Sequence, residues 1–325
     1  MDRRTLLWAP LSLAAVTTTA QAKTPMNNAA NWPKPAFSLD LWPHPPVPPK
    51  PGLTEQVTDA STDPNLHHRR MRGIIKPRIA VFPAKSPNGG AMLIIPGGGF
   101  SWNAFDTEGY LLAQNLNRAG ITCFVLFYRL ANDGWANRPD IGTIDAQRAL
   151  RLIRARAVDL KIDPKRLGVI GFSAGGFIAA SLATRFAAPL YKAQDRVDAF
   201  DARPNLAALM YPVQSLDPAI AYSGAIPSLF GKSITPEQIA RYSPDHHVSA
   251  ATPPCFMAQA EDDTTVPIAN TLSFRAALKA KGIKCETHLF ATGGHGFGMT
   301  PAPDQPHRIW PELFVNFARQ QGLLG

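Results

Sequence analysis

The stretch Leu167-Gly168-Val169-Ile170-Gly171-Phe172-Ser173-Ala174-Gly175-Gly176-Phe177 decides how this chain is read. Leu167 to Gly171 has the length and composition of a buried strand, and Ala174 to Arg185 reads as a helix. Between them lies G-x-S-x-G, Gly171 to Gly175. Five residues of that pattern are a weak signal alone. A strand running in and a small-residue helix running out supply the strand–turn–helix context that the pattern requires. The glycines let the backbone turn sharply and let strand and helix approach closely. Ser173 then projects from the turn, beside a helix N-terminus that favours developing negative charge.

Working outward, strand-like and helix-like runs alternate. Arg78 to Pro83, Met92 to Pro96, Ile121 to Tyr128, Leu206 to Tyr211, Cys255 to Ala260 and Ile283 to Phe290 read as strands. Leu111 to Arg118, Thr143 to Leu160, Ile268 to Lys281 and Pro311 to Arg319 read as helices, with Thr143 as an N-cap. This rhythm predicts an α/β fold, with a mostly parallel central sheet and helices on both faces. The catalytic domain is expected over residues 73–325, with a small insertion at about 212–250 that breaks the alternation near the strand ends.

Upstream, residues 23–72 form an N-terminal arm whose first part is rich in proline, from Pro33 to Pro51. Proline disfavours helix and central sheet, so the arm is expected to run extended over the domain. Trp32, Phe37 and Trp42 are candidates to pin it there. Residues 1–22 read as a signal peptide: Arg3 and Arg4, an apolar run from Leu6 to Val16, and the cleavage pattern Ala20-Gln21-Ala22. The apolar run is shorter than the roughly 20 residues that span a bilayer. Export to the periplasm or the medium is expected, by a Sec or Tat route, since the twin arginines match the Tat pattern only in part.

A serine hydroxyl is a poor nucleophile at neutral pH and needs a base, which needs an orienting acid. After a strand–turn–helix serine the order is Ser, then Asp or Glu, then His. His295, in Gly293-Gly294-His295-Gly296-Phe297-Gly298, follows the last strand-like run. The other seven histidines lie in the arm, before the sheet, after a Ser-Pro turn, inside a strand or at the start of the final helix, and read as surface or packing residues. The acid should follow a strand, and Asp262 and Asp263 both follow Cys255 to Ala260. Acyl transfer also needs donors for an oxyanion. Pro96-Gly97-Gly98-Gly99-Phe100 follows a strand, and Gly98 and Gly99 with the N–H of Ala174 are the candidates. The glycine run lacks the Lys-Ser/Thr of a phosphate-binding loop. Arg129 and Asp145 read as a structural pair, and Asp106 and Glu108 either as helix-start charges or as contacts to a polar substrate.

Together, Pro96 to Phe100, Glu108-Gly109, Phe127-Tyr128-Arg129-Leu130, Asp145 to Ala149, Gly171 to Gly176, Asp262 to Pro267 and Gly294 to Gly298 resemble the α/β-hydrolase family of exported bacterial carbohydrate esterases, often labelled acetyl xylan esterase or endo-xylanase and related to hormone-sensitive-lipase-type esterases. The resemblance implies that Asp263 is the acid, because there it sits three residues before the valine of a Val-Pro pair. It also implies Gly98, Gly99 and Ala174 for the oxyanion hole. The arm and the 212–250 segment depart from the family pattern.

The formal charge is +9, with Lys and Arg scattered rather than clustered, which points to a basic surface with no nucleic-acid partner. Cys123, Cys255 and Cys285 read as buried free thiols with no zinc-site spacing. No metal or organic cofactor and no membrane span beyond the signal is implied, and the oligomeric state is left open. The reading is therefore a serine hydrolase that removes small acyl groups, acetyl foremost, from a small-molecule or carbohydrate ester. A general short-chain carboxylesterase and a peptidase-like hydrolase are the alternatives within that chemistry. A non-catalytic binding module is the alternative outside it, although such modules usually lose a triad member.

Overall fold

A computed structural model describes residues 32–44, 48, 50–300 and 304–324. The segment read as a signal peptide lies outside these. In chain order the strands are β1 (Phe37–Asp40), β2 (Gln56–Asp59), β3 (Arg69–Arg72), β4 (Arg78–Phe82), β5 (Ala91–Ile95), β6 (Thr122–Phe127), β7 (Leu167–Phe172), β8 (Ala207–Met210), β9 (Cys255–Ala260) and β10 (Cys285–Phe290). The helices are α1 (Leu111–Asn117), α2 (Ile141–Ala155), α3 (Ser173–Arg185), α4 (Ala225–Phe230), α5 (Pro236–Tyr242), α6 (Ala269–Ala280) and α7 (Trp310–Gln320).

Strands β5 to β9 are buried at every residue, which is why they read as continuous apolar runs rather than alternating ones. The main sheet runs β1-β4-β6-β5-β7-β8-β9-β10. Strand β4 runs antiparallel to both its neighbours, β1 and β6, and every other pair in the sheet is parallel. Helix α1 packs on β4 and β6 and touches α7, while α2 and α3 pack on one another beside β7 and β8. The chain leaves β5 toward β6 and then returns across to β7. That reversal is a topological switch point, where loops diverge and leave a crevice beyond the strand ends. The register Ile95↔Gly171 places the Gly97–Gly99 loop beside Ser173.

Several expectations change. The arm is more than an overlay: the proline-free run Phe37 to Asp40 forms β1 and pairs with β4, Phe37 opposite Val81. This is an edge position, where flanking prolines do no harm. The sheet therefore begins before residue 73, and β2 and β3 form a separate hairpin ahead of it. Of the three aromatics, Trp32 and Trp42 are buried while Phe37 stays exposed. Thr143 is no N-cap: α2 begins at Ile141, two residues earlier, and Thr143 is buried inside it. The helix also ends at Ala155 rather than near Leu160, and continues only as turns. The 212–250 segment contains α4 and α5, the latter started by a Thr235–Gln238 capping box. Cys123, Cys255 and Cys285 are all free, but only Cys123 and Cys255 are buried as expected, and Cys285 on the edge strand β10 is half-buried.

Candidate active site

Ser173 opens α3 with φ +51°, a left-handed conformation that is strained for a residue with a side chain. The turn closes because Gly175 carries no Cβ: one there would lie 2.2 Å from the Ile95 carbonyl oxygen and 2.5 Å from that of Pro96. The serine is thereby pressed against the end of β5. His295 comes from the loop after β10, between Gly294 at φ +60° and Gly296 at φ +80°. Its Nε2 lies 2.8 Å from Ser173 Oγ and its Nδ1 lies 2.8 Å from Asp263 Oδ2. Asp263 follows β9, so the ends of β7, β9 and β10 bring the three side chains into one line.

Burial alone would raise the Asp263 carboxyl. The hydrogen bond and charge of His295, with the N–H groups of Val266 and Thr265, outweigh it and hold the group below the usual carboxylate range. An ionised carboxylate only accepts, so the His295 proton belongs on Nδ1 and the Nε2 lone pair faces the serine hydroxyl. Asp262, the other aspartate, points elsewhere and accepts from Gly294 N at 2.7 Å, fastening the histidine loop.

The glycine loop divides its N–H groups. Gly97 N donates to Glu108 Oε2 at 2.7 Å and is committed. Those of Gly98 and Gly99 meet no acceptor among the described residues. Gly98, at φ +132°, has room for no side chain, since a Cβ would lie 2.3 Å from the Trp102 carbonyl oxygen. Ala174 N belongs to the first turn of α3, whose N–H groups lack helical partners. A hydroxyl with an imidazole nitrogen 2.8 Å away and uncommitted donors nearby is an arrangement that suits addition to a carbonyl.

Several charged candidates are used within the fold. Arg129 and Asp145 form a fully buried pair at 2.7 Å. Asp106 takes the Trp32 indole and the Arg69 guanidinium. Glu108 is buried between Gly97 N and the Tyr211 hydroxyl, not facing a substrate. His307 packs against Phe297 with ring centroids 4.6 Å apart and so supports the histidine loop. Sequence reading missed Gln259, whose Nε2 reaches Asp263 Oδ2 at 3.1 Å and the Val266 carbonyl oxygen at 2.7 Å. The signal was there: one amide inside the apolar strand Cys255–Ala260.

A model of the BD-FAE family matches residues 80–278. The chain belongs to the BD-FAE family. Its match covers the sheet from β4 to α6 and includes the serine and the aspartate loops. An acetylxylan esterase from Xylanibacter ruminicola is 31% identical over 228 residues, spanning 69% of this chain and 44% of that protein. An endo-1,4-beta-xylanase B from Butyrivibrio fibrisolvens is 33% identical over 219 residues, 67% of this chain and 34% of that protein. This BD-FAE chain thus spans less than half the length of those two relatives. Among solved structures, an acetyl ester-xyloside bifunctional hydrolase from Caldicellulosiruptor lactoaceticus superposes with a TM-score of 0.73 at 30% identity, over 90% of this chain and 99% of that one. The carboxylesterase Cest-2923 from Lactobacillus plantarum, at TM-score 0.64 and 23% identity, shares the fold. The BD-FAE domain here has the α/β-hydrolase fold.

Proposed function

We propose that this protein is an exported serine esterase that removes small acyl groups, acetyl foremost, from oligosaccharide or polysaccharide. The observation that carries the reading is the line Asp263–His295–Ser173, with both of its links at 2.8 Å. Ser173 Oγ attacks the ester carbonyl carbon while His295 Nε2 takes its proton. The carbonyl oxygen becomes an oxyanion beside the N–H groups of Gly98, Gly99 and Ala174. Collapse expels the alcohol, which takes the proton from His295, and leaves an acyl-serine. Water, deprotonated by the same imidazole, then releases the acid and restores Ser173. Asp263 stays ionised throughout and stabilises the imidazolium.

The acetyl and carbohydrate parts rest on the names of the relatives and on the motif resemblance. Export rests on the pattern of residues 1–22, and the mature chain would then start at Lys23, which mass spectrometry of the secreted protein checks. The substrate reading is tested by acetate release from acetylated xylan and acetylated monosaccharides, set beside 4-nitrophenyl esters of increasing chain length. The expected result is the highest kcat/KM on an acetylated carbohydrate. A preference for long acyl chains would replace the reading with a general carboxylesterase.

A further inference from the structure

Four non-glycine residues among those described have left-handed backbones: Phe100, Lys161, Ser173 and Tyr211. Ser173 is the proposed nucleophile and Phe100 follows the glycine loop. Tyr211, at φ +36°, follows β8, the strand directly beside the nucleophile's own. Such strain persists only where the surroundings impose it, and it tends to gather at functional sites. Nothing in the triad explains it for Tyr211.

The contacts of Tyr211 do. Its ring is buried, with its centroid 5.0 Å from that of His295 and 4.7 Å from that of Phe297, both edge-on. Its hydroxyl lies 2.7 Å from Glu108 Oε1 and 3.1 Å from Gly298 N. Gly298 N–H can only donate, so the hydroxyl accepts from it and gives its own proton to Glu108. The other Glu108 oxygen accepts from Gly97 N at 2.7 Å. A single hydrogen-bonded chain therefore runs from the histidine loop, through Tyr211 and Glu108, to the glycine loop. Trp310 Nε1 holds the far side of Gly298 through its carbonyl oxygen, at 2.9 Å. Burial first, and the Glu108 charge second, push the Tyr211 hydroxyl well above its ordinary range, so it keeps the proton that the chain needs. A phenylalanine would fill the same space but leave Gly298 N and Glu108 without this partner.

We propose that Tyr211 and Glu108 are positioning residues that set the imidazole of His295 and the donors of Gly98 and Gly99 in one mutual geometry around Ser173. The proposal rests on the reading of Ser173 as nucleophile. Proton transfer and oxyanion binding must be satisfied at the same instant by two loops far apart in sequence. A buried polar link between them fixes their separation more sharply than apolar packing does, because each of its members has a single set of partners.

The test uses Tyr211→Phe, Glu108→Gln and the double variant, each with a melting curve, steady-state kinetics on 4-nitrophenyl acetate and the rate of labelling by a fluorophosphonate probe. Misplacing reacting groups by about an ångström costs on the order of 10²-fold, so kcat and labelling should fall together by about 10- to 100-fold with KM nearly unchanged. The double variant should be no slower than the slower single one, because both break the same chain. If Tyr211→Phe does not fold, the near-isosteric Glu108→Gln decides alone. Wild-type kcat and labelling in the folded variants, or a loss confined to KM or to melting temperature, overturns the proposal while leaving the Ser173 reading intact. Failure of the wild-type protein itself to label would instead remove the reading on which the proposal stands.

Discussion

The crevice around Ser173 and the N-terminal attachment around Trp32 and Trp42 are built by opposite means. In the crevice the backbone does most of the work. A left-handed serine, a glycine with no room for a Cβ and a glycine loop beside it dictate where the side chains go. At the attachment, side chains do the work across long stretches of chain. The indole of Trp32 donates to Asp106 and that of Trp42 to Asp145, over sequence separations of 74 and 103. Those carboxylates already serve Arg69 and Arg129, so each indole completes an existing ion pair, fully buried at Asp145–Arg129 and half-buried at Asp106–Arg69. Strained backbone shapes the crevice and long-range side-chain contacts hold the attachment, so changes in the two regions should have different signatures.

The largest expected effect is in the crevice. Asp263→Asn should lower kcat by about 10³- to 10⁴-fold, because an amide no longer holds the proton on Nδ1. Asp262→Asn keeps an acceptor for Gly294 N and should cost far less. Equal losses in the two would erase the distinction drawn between neighbouring aspartates. Under the attachment, Asp145→Asn leaves the buried Arg129 charge uncompensated and should cost about 3–5 kcal/mol of stability, read by denaturant unfolding. Turnover by the folded fraction should hold. Trp42→Phe removes one donor to a charged acceptor and should cost about 1.5–3 kcal/mol in the same measurement. If either variant lost kcat rather than stability, the two regions would not be separable.

The smallest effect concerns pH, at Asp133 in the turn after β6. Burial pushes the Asp133 carboxyl up to about 6, against partial compensation from the Gly73 and Ile74 backbone, and its Oδ2 has no hydrogen-bond partner among the described residues. Between roughly pH 4 and 6 the folded state holds a proton that the unfolded state has lost. Stability should therefore decline as pH rises through that window and change no further from this group above it. In Asp133→Asn the slope of melting temperature against pH between 4 and 6 should be more positive than in the wild type, because this declining contribution is gone. An unchanged slope would show that Asp133 does not titrate there.

The same contrast explains what the sequence discloses. Strands β5 to β9 are legible because burial on both faces demands apolar runs, and the elbow is legible because only glycine fits its turn. The pair Asp262 and Asp263 was not separable by residue type; one faces Gly294 N and the other His295, which only three-dimensional direction decides. Strand β1 was missed because its four residues are short, mostly exposed and hemmed in by prolines, so its pairing with β4 leaves no periodic trace. Thr143 misled because it looks like a cap, whereas Asp140, just before the helix, spends its carboxylate on Arg185 at 2.9 Å. Glu108 and Tyr211 lie 103 residues apart, beyond any local pattern.

The central claim is that Ser173 is the nucleophile of an esterase, and one comparison tests it most directly: turnover of 4-nitrophenyl acetate by wild type and by Ser173→Ala, with an unchanged melting curve. A nucleophilic Ser173 predicts a loss in kcat of about 10³-fold or more. Near wild-type turnover in Ser173→Ala would contradict it.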